Sequence, residues 1–158
     1  MFNFNTSLLK PSSTPESLII AKTKGNRIIS DQTKMFNAWI DPDFNNWKAD
    51  EPGQNRPKTK VNIYEVIGSG TYSDLFNSLN NNIKDLCLTQ SQIISFIQKY
   101  QTWLKKERLG TFFLFESYDC FFVARIYMYP NRSMSVGLDK FENSNMRHGY
   151  SHRQIITF

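Results

Sequence analysis

Apolar side chains return every three or four positions between residues 89 and 104, where Ile93, Ile94, Phe96, Ile97, Tyr100, Trp103 and Leu104 make one stripe on a helical wheel. Thr89 followed by Gln92 is a capping-box pair, so the pattern predicts one long amphipathic helix opened by Thr89 and closed by Gly110. Lys105, Lys106 and Arg108 fall in its last turn, where cations complement the helix dipole. After Gly110 the period changes to two. Residues 111–117, 120–129 and 133–141 read as three strands joined by short turns at Tyr118-Asp119 and Pro130-Asn131-Arg132, which predicts an antiparallel meander. On the second of these strands Phe122, Ala124, Ile126 and Met128 share a face that matches Met134, Val136 and Leu138 on the third, and this face should pack on the long helix. The opposite face carries Phe121, Val123, Arg125, Tyr127 and Tyr129, which is aromatic for a surface left to solvent.

Upstream the pattern is weaker. Residues 61–67 predict a strand closed by Gly68-Ser69-Gly70, after which Tyr72, Leu75, Phe76 and Leu79 recur at the spacing of a short helix. Residues 35–40 predict another strand, ended by Asp41-Pro42 because a residue before proline avoids the helical region. Between them, residues 41–60 hold Pro42, Pro52, Gly53 and Pro57 and predict a long loop of the kind that carries function or mobility. Residues 1–34 are broken by Pro11, Pro15 and Gly25, and read as an N-terminal arm or edge hairpin with short strands near 18–21 and 27–29. The expected fold is therefore α+β: one domain over 35–158, with an antiparallel sheet on one long and one short helix.

The length of 158 residues and a 40% hydrophobic content, with 13 Phe, 7 Tyr and 3 Trp, support one real core. No run approaches a membrane span, and the first residues lack the basic and apolar regions of a signal peptide. Two cysteines, Cys87 and Cys120, are too few and too far apart for a disulfide scaffold or a CxxC metal site, which implies a reducing, cytoplasmic setting. Net charge is +5, spread as +3 over residues 1–60, +1 over 61–109 and +1 over 110–158, a mild bias toward anionic partners without a dedicated basic tract.

Four constellations could carry chemistry. The Tyr64–Ser73 segment, with Gly68-Ser69-Gly70 at its centre, resembles the phosphate-covering loop of protein kinases, but Ser73 replaces the third glycine and the lysine, HRD and DFG segments are missing. Asp41 and Asp43 open like a calcium loop, yet Asn46 stands where glycine is needed and Pro52 where a bidentate Glu is needed, and an Asx-turn accounts for both carboxylates without metal. His148 and His152, four apart, suggest either a general base for a phosphate-ester hydrolase or nuclease, with Arg147 and Arg153 on the phosphate and Glu142 or Asp139 nearby, or an ordinary surface tail. Finally Arg125, Tyr127 and Tyr129, with Arg132, Arg147 and Arg153, make an aromatic and basic set suited to stacking single-stranded bases and holding phosphates, to which the loop adds Phe44 and Trp47. The same face could instead be covered by the N-terminal third or by a second copy of the chain.

Residues 38–47 (Ala-Trp-Ile-Asp-Pro-Asp-Phe-Asn-Asn-Trp), with Gly110-Thr111-Phe112-Phe113-Leu114-Phe115 and Phe121-Phe122-Val123-Ala124, resemble a family of small bacterial proteins without an assigned activity, over about residues 35–145. The resemblance implies no cofactor and transfers no functional residue. The sequence alone therefore favours a non-catalytic module that binds a protein or nucleic-acid partner through the 41–60 loop and the aromatic-basic sheet face, with the histidine hydrolase as the alternative.

Overall fold

The computed structural model describes residues 8–12, 18–104, 110–147 and 154–158. Among these residues eight strands form one sheet: β1 (Leu9–Pro11), β2 (Leu18–Ile20), β3 (Trp39–Ile40), β4 (Thr59–Val66), β5 (Thr111–Ser117), β6 (Cys120–Met128), β7 (Met134–Lys140) and β8 (Gln154–Thr157). Their order is β1-β4-β8-β5-β6-β7-β3, and β2 also pairs with β4. The fold is α+β, but the expectation of an antiparallel sheet is corrected: β8 runs parallel to β5, and β3 runs parallel to β7. The physical reason is the chain return. Residues 154–157 come back between β4 and β5, antiparallel to the first and parallel to the second, and supply the pairing that joins the meander to β4.

The meander follows its alternation. Phe122, Ala124, Ile126 and Met128 are buried on one face with Met134, Val136 and Leu138, in the core cluster that also contains Ile93, Ile94, Phe96 and Ile97 of α3 (Gln90–Lys99). Phe96 meets Phe113 edge-on, with ring centroids 5.7 Å apart. The opposite face is also covered. There α2 (Tyr72–Asn77) buries Tyr72, Leu75 and Phe76 with Phe112, Leu114 and Val123, so the sheet has a core on each side.

Both helices start on reciprocal caps: Thr89 with Gln92, and Thr71 with Asp74. The predicted long helix is shorter than its apolar stripe. It stops at Lys99, and Gln101–Trp103 form a 3-10 turn. Tyr100 is the cause. Its hydroxyl accepts from the Ile19 amide at 3.0 Å and donates to the Ile19 carbonyl at 3.1 Å, which draws the chain toward β2. The cationic turn at 105–109 lies outside the described residues.

Residues 18–60 are fastened to this frame by polar side chains. Gln90, buried at the start of α3, accepts from the Ile29 amide at 2.9 Å and donates to the carbonyls of Ala49 and Glu51 at 3.2 and 3.1 Å. Arg27 donates to Ser95 Oγ at 2.5 Å and to Gln98 Oε1 at 3.1 Å. The 41–60 segment contains a single helical turn, α1 (Asp43–Asn46). Ser117 Oγ donates to the Lys48 carbonyl at 2.7 Å and accepts from the Glu51 amide at 3.1 Å, while the Tyr118 amide donates to the Glu51 carboxylate. A buried polar group left without such a partner would cost about 1–3 kcal/mol, so each link holds the segment in place. No helix among the described residues is long and apolar enough to cross a membrane.

Candidate functional site

Alternation on β6 sends Arg125 and Tyr127 to the face opposite Ala124 and Ile126, and alternation on β7 sends Gly137 and Asp139 to that same face. The register sets Arg125 directly across from Gly137. A Cβ at position 137 would stand 2.8 Å from Arg125 Nη2, so glycine lets the guanidinium lie flat over β7 and reach Asp139. Arg125 Nε is 2.6 Å from Asp139 Oδ2, an ion pair too bent to count as an aligned hydrogen bond. Its Nη1 donates to the Tyr127 hydroxyl at 3.0 Å.

Two more elements converge on the same oxygen. Tyr72, the first residue of α2, donates its hydroxyl to Asp139 Oδ2 at 2.5 Å. Arg147 is brought in by a two-way backbone bridge to Gly70, just ahead of the α2 cap. Its Nη2 stands 3.4 Å from Asp139 Oδ2, and its guanidinium lies 4.4 Å from the centre of the Tyr72 ring, a cation–π contact. The side chains of Arg125, Arg147 and Asp139 are 25%, 17% and 13% exposed, so the group is half-buried and little screened.

Electrostatics follow from this crowding. Among the described residues, two guanidiniums face one carboxylate, which leaves one unit of positive charge held within the group. Burial, then the Asp139 charge and hydrogen bond, push the Tyr72 hydroxyl far above its ordinary range, and the two arginines only partly offset this; it is a fixed donor. For Arg125 burial acts against the charge, but Asp139 and then Tyr127 outweigh it and hold the guanidinium charged. The Nε of Arg147 is buried with no hydrogen-bond partner among the described residues.

The other residues singled out by sequence are dispersed. Tyr129 continues the strip beyond the end of β6, half exposed, with its hydroxyl 3.2 Å from Ser135 Oγ. Arg132 is exposed in the β6–β7 turn with a left-handed backbone. Phe44 is fully buried, stacked on Phe115 with centroids 6.3 Å apart, and is a core residue on the α3 side. That placement corrects the expectation that it meets a partner: the short α1 turn, hidden from the sequence reading, rolls its ring inward. Trp47 lines a separate cavity of about 520 Å³ with Phe121, Cys120 and Lys140, whose ammonium sits 4.8 Å from its ring centre.

Asp41 serves the backbone. Its Oδ1 accepts from the Asp43 amide and its Oδ2 from the Leu138 amide, each at 3.0 Å, while Asp43 Oδ1 accepts from Asn46. The Gly68-Ser69-Gly70 turn leads directly from β4 into the capped α2. His148, His152 and Arg153 lie outside the described residues. Asp139, Tyr72 and Gly137 are the members that sequence reasoning missed as a binding group. Period two on β7 already put Gly137 and Asp139 on the Arg125 side; Tyr72 looked like one more apolar helix position. No family model, no curated protein and no solved structure matches the chain.

Proposed function

We propose that the chain is a non-catalytic binding module for single-stranded nucleic acid, which it meets with Arg125, Tyr127, Tyr129 and Arg132 along β6 and its turn, and with Arg147 beside them. One observation carries this reading: Arg125 and Arg147 share a single carboxylate oxygen, which leaves a half-buried excess of positive charge next to tyrosine rings on one strand. Guanidiniums already held by Asp139 lose little freedom on meeting a phosphate, and their forks match its oxygens. A base can stack on the half-exposed Tyr129 ring, a contact worth about 1–3 kcal/mol.

Two groups among the described residues that could start a covalent reaction, Tyr72 and Cys87, are poorly placed for it. Tyr72 is held as a donor, and burial followed by the Glu116 charge pushes the Cys87 thiol up to about 12, so it carries almost no thiolate at neutral pH. The test is fluorescence-anisotropy titration with labelled single-stranded RNA, single-stranded DNA and duplex at two salt concentrations. Single strands should bind at micromolar level or tighter, with a log–log salt slope of about −1.4 for two phosphates. Arg147→Gln should weaken binding and flatten the slope. Salt-independent or absent binding would sink the proposal and turn attention to a protein partner, recognised by a pull-down that survives nuclease treatment.

A further inference from the structure

A second concavity, of about 310 Å³, opens where the 51–56 segment passes the turn that precedes α3, and it shares no residue with the arginine strip. Glu51, Arg56, Lys84, Cys87, Glu116 and Asp119 line it. Its size lies in the range of small-molecule sites, about 300–1,000 Å³.

The charges on its walls are not equivalent. Lys84 and Glu116 stand 3.7 Å apart and neutralise each other. Glu51 is engaged by the Tyr118 amide. Arg56 has no such use. Its Nε is buried with no hydrogen-bond partner among the described residues, and the hydroxyl of Thr23, the residue bridged to it, is orphaned in the same way. The Arg56 guanidinium lines the cavity and makes no ion pair or side-chain hydrogen bond among the described residues, so its remaining N–H groups are left for a bound anion. Asp119 is the complementary case: its side chain makes no hydrogen bond or ion pair among the described residues. Its backbone is left-handed, φ 60°, as is that of Tyr118, φ 47°. A two-residue hairpin turn of this geometry favours Asn-Gly, so Tyr-Asp holds backbone strain at the cavity's rim.

We propose that this cavity is a site for a small zwitterion of the α-amino-acid class, its carboxylate received by Arg56 and its ammonium by Asp119. One spare cation and one spare anion on the walls of a cavity of metabolite size match a molecule that carries both charges a few bonds apart. A simple anion would be repelled by the Asp119 carboxylate, and a simple amine by the Arg56 guanidinium.

Isothermal titration calorimetry of the full chain against the common L-α-amino acids tests this, each hit being compared with its decarboxylated amine and its deaminated acid. At least one amino acid should bind saturably, with both one-charge analogues and the variants Arg56→Gln and Asp119→Asn weaker by about tenfold or more. Arg56→Lys should retain part of the affinity. The proposal is overturned if no amino acid binds at about 10 mM, well above the weak end of specific binding, or if a one-charge analogue binds as well as the zwitterion. Because Asp119 is exposed, its variant stays informative even if Arg56→Gln fails to fold. Nucleic-acid binding is unaffected by either result.

Discussion

Replacing Asp139 by Asn should make the protein less stable and a better anion binder at once. The carboxylate oxygen at Asp139 meets Arg125 at 2.6 Å, Arg147 at 3.4 Å and the Tyr72 hydroxyl at 2.5 Å. Asn keeps an acceptor for Tyr72 but no charge for the arginines. Removing one partner of a buried pair costs about 3–5 kcal/mol. The guanidiniums retain 25% and 17% exposure, so the low end applies, about 3 kcal/mol after solvent screening. With a urea m-value of about 2 kcal/mol/M, the midpoint should fall by about 1.5 M. Meanwhile the charge excess on the strip grows by one unit. Single-strand affinity measured at low temperature, where the variant remains folded, should rise, and the salt dependence should steepen. A variant as stable as the parent would show that Asp139 does not anchor the arginines. A folded variant whose affinity and salt dependence are both unchanged would show that the arginines are not the contact surface.

Other perturbations probe the frame. A thiol reagent should modify exposed Cys120 faster than partly buried Cys87, and equal rates would contradict that difference in exposure. The Cys87 value rises from 9.0 to about 12 on folding, so the folded protein keeps a proton that the unfolded chain releases; stability should be level below pH 9 and then fall by up to about 1.4 kcal/mol per pH unit, a slope that Cys87→Ala should reduce in alkaline urea melts. Tyr118→Asn, at an exposed left-handed position, should relieve turn strain and stabilise by about 1 kcal/mol, a rise of roughly 2–4 °C in Tm. Gln90→Ala removes the partner of three backbone groups and should destabilise by about 2–4 kcal/mol, with faster hydrogen exchange at the Ile29 amide. A neutral effect there would mean that the 18–60 segment is held by apolar packing alone.

Local patterns carried much of this fold. The Thr89–Gln92 cap, the alternation of β6 and β7 and the hairpin turn at Tyr118-Asp119 all act within a few residues, so the chain spells them out. What sequence could not supply were partners far along the chain. Tyr100 ends α3 because of Ile19, 81 residues away. The parallel pairing of β8 with β5 depends on where residues 154–157 return, and two isoleucines between polar residues give no sign of that. The site divides in the same way. Arg125, Tyr127 and Tyr129 were visible as one strand face, whereas Asp139 acquires its role from the β6–β7 register and Arg147 from its bridge to Gly70. Phe44 looked like a loop aromatic only because a single helical turn leaves almost no period to read.

The most direct measurement is two-dimensional NMR of the arginine Nε–Hε signals during titration with a short single-stranded oligonucleotide. The resonances of Arg125 and Arg147 should move together and saturate, because both guanidiniums meet the same ligand. If oligonucleotide binds while those two signals stay fixed and others move, the pair is a structural clasp and the binding surface lies elsewhere.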